Sequence, residues 1–84
     1  MYEYKFTSRA YKELQKLERN VQFRIIEKLD QIVKSRNPLH YADHLTDYSL
    51  GGYRIRVGDC RVIFDMEDKT LIILKVGHRK HNYR

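Results

Sequence analysis

Tryptophan is absent from this 84-residue chain, and cysteine and proline occur once each. A single cysteine cannot close an internal disulfide, which excludes the small secreted scaffolds built on such bridges and suits a reducing cytosol. One proline and four glycines leave no linker and no low-complexity tract, and no internal repeat is present. There is no run of about 18 apolar residues to span a membrane. Met1 is followed almost at once by strand-like residues, without an apolar signal segment. These absences lead to the expectation of a soluble, cytoplasmic protein with no membrane partner. The length allows one domain, residues 1–84, marginal in core size but able to fold without staples.

What the chain does contain is charge, 33% of its residues, beside 42% hydrophobic residues, a globular balance. Seventeen Lys and Arg outnumber eleven Asp and Glu, for a net charge of +6. From residue 48 onward eight basic residues face four acidic ones, whereas the first 47 residues hold nine against seven. A basic surface attracts nucleic acid through phosphate contacts and counterion release, and it attracts acidic proteins and anionic membranes as well. Charge therefore sets a class of partner and no activity.

Tyr2, Tyr4 and Phe6 alternate with Glu3 and Lys5, the pattern of a short half-buried strand. Ser8 is placed to cap a helix carrying Ala10, Leu14 and Leu17 on one face. Asn20 is the next expected cap, and Ile25, Ile26, Leu29, Ile32 and Val33 form a helical stripe through roughly residues 21–35, stopped by Asn37-Pro38. The two helices form an antiparallel hairpin. Residues 38–47 show no sustained period and read as a loop. Tyr48 to Leu50 is a candidate strand start, with Gly51-Gly52 as a bend. Glu67 to Thr70 is a polar turn, and Leu71 to Val76 is an apolar run suited to a central strand. Both faces of that run are apolar, so its period leaves open which of them Lys75 shares.

Between the bend and the turn lies the most informative stretch, Tyr53-Arg54-Ile55-Arg56-Val57-Gly58-Asp59-Cys60-Arg61-Val62-Ile63-Phe64. Gly58-Asp59 suits a two-residue hairpin turn of type II′, with glycine first. That register sets Val57 opposite Cys60, Arg56 opposite Arg61, Ile55 opposite Val62 and Tyr53 opposite Phe64. One face is then apolar, and the other carries Arg54, Arg56 and Arg61. Like charges directly opposed on a strand pair are destabilising, so an anion is expected to visit them. The fold class is α+β: an N-terminal strand and a two-helix hairpin packed on a mainly antiparallel four-stranded sheet, in the order β-α-α-β-β-β. The helices cover the apolar face and leave the arginine face open. The basic tail emerges beside it, so Arg54, Arg56, Arg61, Arg79, His81 and Tyr83 are expected to converge on one positive patch. Lys80 and Arg84 of the same tail are expected to add contacts to a bound polyanion such as RNA.

Arginines so gathered can grip a phosphate through bidentate, charge-assisted hydrogen bonds and can stabilise a pentacoordinate phosphorus. The bland alternative is a solvated edge face, which fits any one of them better than all of them together. Cys60 falls on the apolar face and reads as core. His78 and His81, with His40 and His44, lack the cysteines or acidic ligands of a zinc site, and the scattered aspartates offer no paired-carboxylate or magnesium constellation. Cleavage without metal requires RNA, whose 2′-hydroxyl is an internal nucleophile; the products are a 2′,3′-cyclic phosphate and a 5′-hydroxyl. Arginine does not lose its proton in proteins. The proton transfers therefore fall to His81, with an ordinary pKa near 6.5, to Tyr83, to Lys80 or to a partner. Tyr83 can equally stack on a base, bond a phosphate or clip the sheet.

The arginine hairpin, followed by Leu74-Lys75-Val76-Gly77-His78-Arg79 and a terminal Tyr83, resembles the RelE/ParE superfamily of prokaryotic toxin–antitoxin toxins, on the RelE side. The resemblance spans essentially the whole chain. It implies a messenger-RNA endonuclease acting in the ribosomal A site, using no metal and no small-molecule cofactor, and silenced by a cognate antitoxin that wraps over it. Arg54 and Arg56 match two basic positions, often lysines, that contact the reacting phosphate. Arg61 matches the arginine that stabilises it. Arg79 matches the basic residue assigned to the leaving group, and Tyr83 the tyrosine that stacks with or orients the nucleotide. The chain departs from the pattern in having arginine at 54 and 56, Cys60 where tyrosine is common, and a short tail in which His81 can stand in for Tyr83. Two rivals follow: a ParE-like poison of DNA gyrase, and a non-catalytic module that binds RNA or the ribosome.

Overall fold

The computed structural model describes residues 2–45 and 52–78. Along the chain it has strand β1 (Glu3–Phe6), helices α1 (Ser8–Gln15) and α2 (Arg19–Val33), a 3-10 turn (Pro38–Tyr41), and strands β2 (Asp43–His44), β3 (Tyr53–Val57), β4 (Cys60–Glu67) and β5 (Thr70–His78). The strands form one sheet in the order β1-β5-β4-β3-β2. β1 is parallel to β5, and every other neighbouring pair is antiparallel. The α+β architecture expected from the sequence is present, and a two-residue strand, β2, joins the four expected.

Local chemistry sets the helix ends, and it differs from the expected caps. Thr7, one residue before Ser8, caps α1: its Oγ1 accepts from the Ala10 amide at 3.1 Å. Thr7 is still in extended geometry and donates its own N–H to Ile73 O, so the residue that ends the β1 ladder also starts the helix. α2 begins at Arg19 with Glu18 at its N-cap position, ahead of the expected Asn20 cap; the Asn20 carboxamide instead accepts from the neighbouring Val21 amide. Gln22 Nε2 donates to Leu17 O at 2.8 Å and to Gln15 O at 3.4 Å, which satisfies carbonyls left over at the end of α1 and locks the interhelical turn. α2 stops at Val33, before Asn37-Pro38, where Ser35 donates from both its N and Oγ to Ile32 O. The segment read as a loop over 38–47 holds the 3-10 turn and β2. Two exposed polar residues carry no hydrophobic period to reveal them. The candidate strand start at Tyr48 to Leu50, and Gly51, lie outside the described residues.

One apolar cluster fills the space between helices and sheet. It joins Ala10 and Leu14 of α1 and Ile25, Leu29 and Ile32 of α2 to Ile55, Cys60, Val62, Phe64, Leu71, Ile73 and Val76 of the sheet. Tyr53 stacks on Phe64 with ring centroids 5.4 Å apart. Two polar ties fasten the layers. Tyr4 Oη donates to Asp30 Oδ1 at 2.9 Å, joining β1 to α2. Beyond the last β1 pairing at Ile73, the Val76 amide donates to Glu13 Oε1 of α1 at 2.9 Å, so a helix carboxylate takes over where the neighbouring strand ends.

Candidate nucleic-acid interface

The β3–β4 hairpin adopts the register read from the sequence, with Arg56 opposite Arg61 and Val57 opposite Cys60. Gly58 takes a φ of 60° whereas Asp59 is not among the residues with positive φ, the pattern of a glycine-first turn. Side chains alternate, so Ile55, Cys60, Val62 and Phe64 enter the core while Arg54, Arg56 and Arg61 lie on the open face.

A bulge in β5 adds a fourth cation to that face. From the Asp68-Lys69 turn the ladder runs in step as far as Phe64 opposite Ile73, but the next pair is Ile63 opposite Lys75. Leu74 is the extra residue. An unbroken ladder would set Lys75 opposite Val62, on the core face; the slip of one residue turns it to the open side. Two cross-strand rows result: Asp43, Arg54, Ile63 and Lys75 in one, Arg56, Arg61 and Gly77 in the other. Neighbouring strands lie about 4.8 Å apart, so the four cations occupy a patch roughly 10 Å wide across three strands. Gly77, opposite Arg61, adds no side chain of its own to that row.

The cations differ in surroundings. Arg56 is exposed, and Arg61 and Lys75 are half-buried. Arg54 is bound end-on to Asp43, Nη2 to Oδ2 at 3.1 Å, and its Nε is shut off from solvent without a hydrogen-bond partner. Arg54 is thus partly committed to an internal ion pair. Ile63 sits between Arg54 and Lys75 and is only 8% exposed, an apolar floor beneath charged groups.

Cys60 is buried, and burial followed by the nearby Asp59 charge pushes its thiol up from the ordinary range, which makes it core. Among the described residues no three His, Cys, Asp or Glu side chains gather as metal ligands. A shallow groove of about 1030 Å³ runs over α2 past Phe23, Ile26, Lys34 and Val57, on the helix side of the sheet and away from the arginines. None of its lining residues belongs to the arginine patch. No described helix is long and apolar enough to cross a membrane.

The expected site residues Arg54, Arg56 and Arg61 are thereby brought together. Arg79, Lys80, His81, Tyr83 and Arg84 lie outside the described residues. The last described residue, His78, pairs with Cys60, next to Arg61, so β5 ends beside the arginines. Sequence reasoning left Lys75 open and missed Asp43. A two-residue strand gives no periodic signal, and a bulge cancels the parity count that would assign Lys75.

Residues 4–83 match a family model described as the ParE toxin of the type II toxin–antitoxin system parDE. Among solved structures, the chain is similar to a chain of the RelBE2 toxin–antitoxin complex from Mycobacterium tuberculosis, at 30% identity and TM-score 0.80 over 93% of this chain and 98% of that one. It is similar also to the RelB–RelE complex from Methanococcus jannaschii, at 26% identity and TM-score 0.72 over 93% of each chain. The RelE–RelB complex from Pyrococcus horikoshii gives 29% identity and TM-score 0.71 over 95% of this chain and 97% of that one. A search of curated proteins finds no match. A family model matched along nearly the whole chain, and a fold shared with a relative at 30% identity, establish that the chain belongs to the RelE/ParE superfamily of toxins of type II toxin–antitoxin systems.

Proposed function

We propose that this toxin is a messenger-RNA endonuclease of the RelE kind, acting on ribosome-bound mRNA and held inactive by a cognate antitoxin. The observation that carries the reading is the gathering of Arg54, Arg56, Arg61 and Lys75 on the one sheet face the helices leave uncovered. In the reaction, the 2′-oxygen attacks the adjacent phosphorus and the bond to the next nucleotide's 5′-oxygen breaks. One proton leaves the 2′-hydroxyl and one joins the departing 5′-oxygen, so a 2′,3′-cyclic phosphate and a 5′-hydroxyl result. Negative charge grows on the non-bridging oxygens as the fifth bond forms, and guanidinium groups placed there lower the barrier. One such donor is typically worth about 2.7–4 kcal/mol. Arg56 and Arg61 are suited to that role, with Arg54 and Lys75 holding the flanking backbone. Arg79 serves the leaving group, and His81 and Tyr83 of the tail divide proton transfer and base stacking; Lys80 and Arg84 add phosphate contacts. The reaction as drawn requires neither metal nor cofactor. The solved relatives are recorded as toxin–antitoxin complexes, which supports an antitoxin partner here.

The test is purified protein added to translating ribosomes, which should yield codon-phased cuts with cyclic phosphate ends. A second reading, a ParE-like gyrase poison, is favoured by the description of the matching family model. It predicts intact mRNA in that assay and trapped gyrase–DNA complexes in cells that express the protein. A non-catalytic RNA- or ribosome-binding module predicts binding without any cut to lose.

A further inference from the structure

One carboxylate stands in the row of cations. Asp43 lies directly opposite Arg54, and its Oδ2 accepts from Arg54 Nη2 at 3.1 Å. β2, which carries Asp43, is only two residues long, so backbone pairing with β3 rather than burial delivers the acid to the arginine. The Asp43 side chain is 65% exposed against 24% for Arg54, so water and ligands reach the pair from the Asp43 side. Asp43 engages the guanidinium through one terminal nitrogen, whereas Nε is shut off from solvent, so a ligand meets Arg54 at its terminal nitrogens. A guanidinium end holds a phosphate by charge-assisted hydrogen bonds.

We propose that Asp43 masks Arg54, occupying its terminal nitrogen until a phosphodiester displaces it, and so tunes the affinity of the open face for RNA. This rests on the open face being the RNA surface. An exposed ion pair is weak enough for a substrate to remove. The mask therefore disfavours a lone phosphate that touches Arg54 only. A strand that also grips Arg56, Arg61 and Lys75 overcomes it. The recognised chemistry is a single-stranded polyanion with phosphates at more than one position on the patch.

The test uses Asp43→Asn, which keeps the shape and removes the charge, with Asp43→Ser as a second variant and thermal melting to show that each is folded. The probe is a short single-stranded RNA with 2′-O-methyl groups, which cannot be cut. Binding should tighten about two- to fivefold, the range expected for an exposed ion pair. The dependence of affinity on salt should steepen by up to about 0.7 in log–log slope, one more phosphate neutralised. In an Arg54→Ala background the same change should give a smaller gain, because the mask acts through Arg54. Unchanged or weaker binding by Asp43→Asn, or an equal gain in both backgrounds, would overturn the mask. Arg56→Ala separates the two readings. If it weakens binding while Asp43→Asn has no effect, the mask alone fails. If neither variant affects binding, the RNA reading of the open face fails with it.

Discussion

The two faces of the β3–β4 hairpin come from the same dozen residues and have opposite fates. Ile55 is 2% exposed, whereas its neighbour Arg56 lies at the surface. Facing α1 and α2, alternate residues close a continuous apolar core with no buried charged side chain among the described residues. On the far side, Arg56 opposes Arg61 and Arg54 shares a row with Lys75, an arrangement that local energetics disfavour. The difference teaches where selection for folding ends. A covered face must be apolar to hold the helices, but an uncovered face needs only to be polar, and scattered charges of both signs would serve solubility. Folding does not require cations to be concentrated there, which is why the proposed function is assigned to that face.

Substitutions should break that contrast in graded ways. Phe64→Ala, removing a fully buried ring stacked on Tyr53, should cost about 3–5 kcal/mol, read as a shift of the urea unfolding midpoint. A loss below about 1 kcal/mol would mean that the core face is not the structural one. Arg61→Ala should act on the other ledge of the hairpin: cleavage on the ribosome should fall about 100- to 1,000-fold with ribosome affinity nearly intact. Binding and cutting that decline together would instead favour the non-catalytic module.

Smaller effects sharpen how the layers are fastened. Glu13→Ala strips the Val76 amide of its acceptor and should destabilise by about 1–3 kcal/mol, with faster hydrogen exchange at Val76 as the local signature. Tyr4→Phe removes the bond to Asp30 and should cost about 0.5–1.5 kcal/mol near neutrality. Burial, then the hydrogen bond and charge of Asp30, push the Tyr4 hydroxyl from 10 up to about 12, so the folded state disfavours the phenolate. Its contribution is intact below pH 10 and is lost as pH climbs toward 12. The stability gap between the parent and Tyr4→Phe should close over that window, measured by denaturation at stepped pH. A gap that widened with pH would reverse the assigned cause.

Much of the architecture was legible because it depends on short-range pattern. The Gly58-Asp59 turn fixed the hairpin register, and the stripes of Ala10 and Leu14 and of Ile25, Leu29 and Ile32 announced which helix sides are buried. Helix ends were less legible. Thr7 and Ser8 are both competent caps, and the backbone bond from Thr7 to Ile73, a contact between distant parts of the chain, decides for Thr7. The Tyr48–Leu50 reading and the tail residues Arg79, Lys80, His81, Tyr83 and Arg84 fall outside the described residues.

The amino-acid order by itself determined the faces of the β3–β4 hairpin, because alternation along a strand is a local property and one turn sets the pairing. It determined the presence of Arg54, Arg56 and Arg61 on one side for the same reason. Only the folded sheet decided that Lys75 joins them and that Asp43 holds Arg54. Both depend on how separate strands align, through a one-residue bulge and a two-residue backbone pairing, and neither leaves a periodic mark in the chain.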